Sequence, residues 1–176
     1  MWKVLMAIGV VVLITGNAVQ AQSRDGFWVG FGAGTGSLQV GGDPRQWGAV
    51  GYLKLGGTIN QRVLLGAELN GWKRESSAAD RHVNLTVTAY SYPSATSGFF
   101  WKAGLGWSWL GDARGTGING VGVVLGLGYD ARIEDNFSIT PFLNLSTTPF
   151  LTFDGAWGFA GNGINMIQFG VGVSWH

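Results

Sequence analysis

Large apolar residues alternate with glycine or polar residues over most of this chain. That period of two restricts it to β-strands, because successive side chains on a strand leave opposite faces of the backbone. Val121, Val123, Leu125, Leu127 and Tyr129 interleave with Gly122, Val124, Gly126, Gly128 and Asp130. Ile167, Phe169, Val171, Val173 and Trp175 interleave with Gln168, Gly170, Gly172 and Ser174. The pattern leaves one question open, which is the face that meets water.

A soluble sandwich or lipocalin would turn the bulky face inward and cover the other with charge. Charged residues are only 12% of this chain and hydrophobic ones 46%, against about 25% charged in ordinary soluble domains. Glycine accounts for 31 of 176 residues, much of it opposite the aromatics. Small residues lining a narrow closed barrel, with Leu, Val, Phe and Trp toward lipid, explain both facts together.

The first residues lie outside the pattern. Lys3 supplies a positive start, Val4 to Ile14 an apolar run, and Val19-Gln20-Ala21 a small-residue cleavage site, so residues 1–21 read as a cleavable signal peptide and 22–176 as one barrel domain. The apolar run is too short for a spanning helix, which needs roughly 20 residues. Lys and Arg total 11 against 10 Asp and Glu, and loss of Lys3 leaves the remainder neutral, which argues against a nucleic-acid partner. The chain has no cysteine, and hence no disulfide, thiolate nucleophile or Cys-ligated metal. No cofactor motif stands out. Gly30-x-Gly32-x-Gly34-x-Gly36 has no following helix and reads as lumen lining, not as a phosphate loop.

Eight segments carry the period: 26–38, 47–58, 63–73, 82–92, 99–110, 119–131, 137–146 and 164–175. Each is long enough for a tilted membrane strand of roughly 9 to 11 residues. Connections at 59–62, 93–98 and 132–136 are short, and those at 39–46, 75–81, 111–118 and 147–163 are longer. Short turns on one side and long loops on the other define an all-β, eight-stranded antiparallel transmembrane barrel with turns in the periplasm and loops outside the cell.

The lipid face includes Phe27, Phe31, Leu53, Leu69, Leu85, Val87, Trp101, Leu105, Trp109, Leu143 and Leu145, with the odd-numbered residues of the two runs above. The inner face includes Tyr52, Lys54, Glu68, Asn70, Asn84, Thr86, Thr88, Tyr90, Lys102, Asp130, Thr140, Asn144 and Gln168. A turn at Asn60-Gln61-Arg62 sets Lys54 opposite Glu68 and Tyr52 opposite Asn70, and a register across the longer loop sets Lys102 opposite Asp130. Two luminal ion pairs are expected, since an unpaired buried charge is expensive.

The opening Phe27-Trp28-Val29-Gly30-Phe31-Gly32, the run from Gly98 to Gly106 and the closing strand Gln168 to Trp175 resemble the outer membrane protein β-barrel family, the small porin-like exported proteins of Gram-negative bacteria. The resemblance implies outer-membrane lipid and lipopolysaccharide as surroundings and the barrel-assembly machinery as a partner during biogenesis, with the barrel a monomer.

Chemistry is sparse. Acyl-transferring barrels need a nucleophile, a base and an orienting acid. The two histidines are His82, read as a solvated rim residue, and His176, read as poorly held. A lipid-modifying enzyme is therefore the weaker alternative. A small solute-permeable or ligand-binding barrel is the stronger one, although eight strands enclose an interior that side chains about fill. The expected role is non-catalytic: envelope integrity or surface interaction through the outer loops. Recognition candidates are Phe150, Phe153, Trp157 and Phe159 on the longest loop, and Lys73, Arg74 and Arg81 are placed to meet lipopolysaccharide phosphates.

Overall fold

A computed structural model describes residues 24–74, 81–111, 117–153 and 156–176, the side chains of 150–162 excepted. The expected signal peptide, residues 1–21, lies outside them. The strands are β1 (Phe27–Val40), β2 (Gln46–Asn60), β3 (Val63–Arg74), β4 (Arg81–Ser91), β5 (Phe99–Gly111), β6 (Gly117–Tyr129), β7 (Ala131–Glu134), β8 (Phe137–Phe153) and β9 (Ala156–Trp175). Neighbours in sequence pair antiparallel, β9 returns to β1, and β6 pairs with β8. The sheet is closed, with β7 continuing the line of β6 past a break at Asp130, so nine segments make eight staves. Closure leaves no open edge, which a spanning sheet requires because lipid cannot hydrogen-bond to unpaired backbone groups.

The even residues of β1 to β5 point inward and the odd ones outward. Phe27, Val87, Leu105 and Trp101 are 57 to 66% exposed, while Trp28, Glu68, Asn84 and Thr88 are 0 to 1% exposed. Leu125 and Phe169, which a soluble fold would bury, are exposed. Trp175 lies between Phe31 and Phe137 at the turn end with its ring tilted against both, and Trp47 meets Phe169 edge-on nearer the loop end. These rings band the belt where amphipathic aromatics favour the membrane interface.

Glycine is required where strands and luminal rings crowd. Gly56 and Gly66 face each other across β2 and β3, and a Cβ on either would lie within 2.8 Å of the Trp28 indole. The Trp28 indole can reach this part of the lumen because those two side chains are missing.

The Lys54–Glu68 and Tyr52–Asn70 register is present, reached by a different turn. β2 runs to Asn60 and β3 starts at Val63, with a bulge between Thr58 and Asn60 restoring the alignment. The larger departure is at 147–163, expected to be a loop. There β8 and β9 continue as a paired hairpin, Phe150 opposite Phe159 and Phe153 opposite Ala156. Pro149 lies within β8. It falls where the ladder shifts between Thr148 and Phe150, a place where a missing N–H is tolerated.

A sealed lumen and an apolar outer vestibule

From the turn end upward, the lumen is filled in layers. Arg24, which precedes β1 and is fully buried, closes the base. Its guanidinium donates to the carbonyls of Ala95 (3.3 Å) and Ser97 (2.6 Å) and lies 3.5 Å from the centroid of the Tyr92 ring. Burial lowers the Arg24 pKa, opposed by the nearby Tyr92 and Asp130. Tyr92 donates to Asp130 (2.7 Å), which also accepts from Thr140 (2.6 Å). The His176 imidazole stands 3.8 Å from the same carboxylate. Its backbone N–H donates to Asn136 at 3.0 Å, so His176 is held, not loose.

Above this plug, Trp28, Leu64, Tyr90, Tyr92 and Phe100 form an apolar cluster. Trp28 meets Tyr90 edge-on at 5.1 Å, and Tyr90 meets Phe100 at 5.7 Å. The Lys54 ammonium sits 5.2 to 5.8 Å from the rings of Trp28, Tyr52, Tyr90 and Phe100, a cation–π environment.

The four luminal charges expected from sequence are all buried here, with different partners. Glu68 forms its ion pair with Lys102, and also accepts from Tyr90 and from Asn70. The expected Lys54–Glu68 and Lys102–Asp130 pairs are thus replaced. Lys102 lies opposite Gly126, not Asp130, in the β5–β6 register. Asp130 is four residues further along, roughly 13 Å at the rise of a strand. Lys102 reaches instead across β4, whose Thr86 and Thr88 are short enough to let the long side chain pass to Glu68 on β3.

Higher still the lumen is polar and hydrogen-bonded: Ser108 to Asn84 (3.1 Å), Thr148 to Ser108 (3.0 Å) and Asn144 to Gln168 (3.3 Å). At the loop end the chemistry changes again. Leu38, Val50, Trp72, Ile164 and Met166 form a second apolar cluster. His82, expected on a solvated rim, is only 1% exposed and lies in register between Trp72 and Leu110. Neither of its ring nitrogens has a hydrogen-bond partner among the described residues. The inward parity of β4 puts it in the lumen and not in water.

On the rim, Lys73 and Arg81 are exposed and directly opposite each other across β3 and β4, with Arg74 half-buried beside them. The side chains of Phe150, Phe153, Trp157 and Phe159 lie outside the described residues, so the expectation that they form a recognition surface does too. Sequence reading missed Arg24, Tyr92 and Phe100. Trp28 and Phe100 could have been placed by parity with their neighbours, whereas Arg24 lies outside any periodic run.

A closed eight-stave barrel, apolar outside and polar within, is the fold of small outer-membrane β-barrel proteins, and the lipid-facing belt places this chain in that membrane. Among solved structures, it is similar to Neisserial surface protein A, with a TM-score of 0.62 and 14% identity over 86% of this chain and 97% of that one. It is also similar to Ail, the attachment invasion locus protein of Yersinia pestis, with a TM-score of 0.56 and 11% identity over 86% of this chain and 99% of that one. No protein-family model matches the sequence, and no curated protein matches it significantly.

Proposed function

We propose that the protein is a non-catalytic outer-membrane barrel that acts at the cell exterior, anchored among lipopolysaccharide and meeting partners through its β8–β9 hairpin. The observation that carries this reading is the hairpin. β8 and β9 are 17 and 20 residues long, against 11 to 15 for each of β1 to β6, and pairing of β9 with β1 stops at Ile164. The eight residues of β9 before that point extend roughly 26 Å beyond the end of β1 at the rise of a strand. A paired ribbon presents its surface at less entropic cost than a loose loop of the same length.

The filled lumen argues against a wide aqueous pore, and the unpartnered, enclosed His82 argues against an acyl-transfer triad. Lys73 opposite Arg81 is a like-charge pair that is unfavourable alone and favourable beside phosphate. Protease treatment of intact cells tests the orientation: cleavage within 147–163 and none within 132–136 is the expected result, and the reverse overturns it. Replacing Lys73, Arg74 and Arg81 together by Gln should weaken binding of lipopolysaccharide to the nanodisc-embedded barrel without affecting its folding.

A further inference from the structure

The charges inside the barrel do not balance. Among the described residues the buried ones are Arg24, Lys54 and Lys102 against Glu68 and Asp130. Arg24 and Asp130 lie in the plug at the base and carry one charge of each sign. Glu68 is taken by Lys102. Lys54 is therefore the cation left over. It has rings around it, but neither an ion pair nor a hydrogen bond among the described residues. Rings offset part of the cost of burying an ammonium, yet they leave its three N–H donors without acceptors. A buried charge without a counter-charge is expensive.

The path of its side chain separates Lys54 from Glu68. Glu68 lies opposite on β3, whereas Lys54 leans toward β1, where a Cβ on Gly30 would fall 2.7 Å from Lys54 Cε and 2.9 Å from Ser174 Oγ. Two further donors of the same layer are unsatisfied. The Tyr52 hydroxyl and the Trp28 indole N–H are buried without partners, and the centroids of those rings lie 5.8 and 5.7 Å from the Lys54 ammonium. The Tyr52 ring is also 5.9 Å from the Lys102 ammonium, so both cations border it. Tyr52, Lys54, Lys102 and Phe142 stay 4 to 8% exposed while Glu68 is 0% exposed, which marks a small unfilled space beside the two ammoniums. Asn70 Oδ1 and Asn144 Oδ1 are unpartnered acceptors in the lumen, but a neutral amide oxygen cannot cancel a charge.

We infer that this layer holds one small monovalent anion of the halide class, in contact with the Lys54 ammonium and bordered by Tyr52 and Lys102. A single negative charge restores neutrality. An ion that only accepts hydrogen bonds matches a place where unsatisfied donors collect, and the rings packed around it favour an ion of atomic size. With the plug beneath and the hydrogen-bonded layer above, the ion is enclosed as the barrel closes. The site lies inside the lumen, so it stands or falls independently of the surface-interaction reading.

The test refolds the barrel into uncharged detergent micelles while sodium bromide replaces sodium gluconate, whose anion is too large for the layer, at constant ionic strength. The wild type should gain stability saturably, its unfolding equilibrium constant falling about tenfold when bromide reaches ten times the dissociation constant. Lys54→Met keeps a long side chain among the rings and removes the charge, so it should show no saturable gain. Subtracting its curve from the wild-type curve removes general salt effects. Heat-modifiable migration on a detergent gel confirms folding, and Lys54→Gln is read the same way should Lys54→Met not fold. Crystals of the wild-type barrel grown in bromide should show an anomalous peak in contact with Lys54 Nζ. Equal wild-type stability in the two salts, or the same saturable gain in the folded Lys54 variant, overturns the inference. A bromide peak without the gain in stability means an adventitious ion only and overturns it as well, as does ordered water in place of the peak.

Discussion

Glu68 is the residue on which the interior turns. It is fully buried, accepts from Asn70 and Tyr90, and is neutralised by Lys102 from two staves away. Removing one partner of such a pair leaves a buried charge uncompensated, so Lys102→Met should destabilise the barrel by about 3 to 5 kcal/mol. Adding Glu68→Gln should recover much of that loss, read as urea midpoints in micelles; equal stability of wild type and Lys102→Met would show the pair to be dispensable. His176 offers a pH-dependent counterpart. Burial, its largest cause, lowers its pKa to about 4, with Asp130 opposing. The unfolded chain takes up this proton near pH 6.5 and the folded chain only near 4, so stability falls as pH drops through that interval and does not change above it. His176→Gln should flatten that part of the stability profile.

Among elements, β2 and β3 show how glycine sets the bore. Gly56 and Gly66 lie opposite each other, under the Trp28 ring. Gly66→Val should overpack the lumen and lower stability by about 1 to 3 kcal/mol, measured by the same unfolding titration. Trp28→Leu in that background should restore part of the loss if the indole is the obstacle. The β8–β9 hairpin behaves differently. Its outer half pairs with β6 only through Asn119, Gly120 and Val121, beyond a register shift, so trimming 152–157 should leave the heat-modifiable barrel intact while removing the cleavage site on intact cells.

For the whole molecule, the decisive property is the inverted arrangement of polarity. A charge on the lipid face at mid-belt costs roughly 2 to 4 kcal/mol, so Leu125→Arg should depress stability by that amount in bilayers. A second measurement follows from the layered interior. With the Arg24 plug, the aromatic cluster and the Glu68–Lys102 layer in series, planar-bilayer recordings of the wild-type barrel should show no large steady conductance of the porin kind. A stable large conductance would mean that these layers move aside.

Sidedness, stave positions and the closed antiparallel barrel were legible in the sequence, since alternation is a property of residues two apart and needs no knowledge of partners. Strand ends fall within about two residues of expectation wherever turn chemistry is local. The exceptions are informative. The run from Thr147 to Gly163, rich in glycine and holding a proline, reads as a loop until β6 and β9 supply strands for it to pair with. The choice of Lys102 by Glu68, the ring environment of Lys54, the enclosure of His82 and the closure by Arg24 depend on which staves face one another across the lumen. Strand tilt, stagger and side-chain reach govern those relations, and they exist only once the sheet has closed.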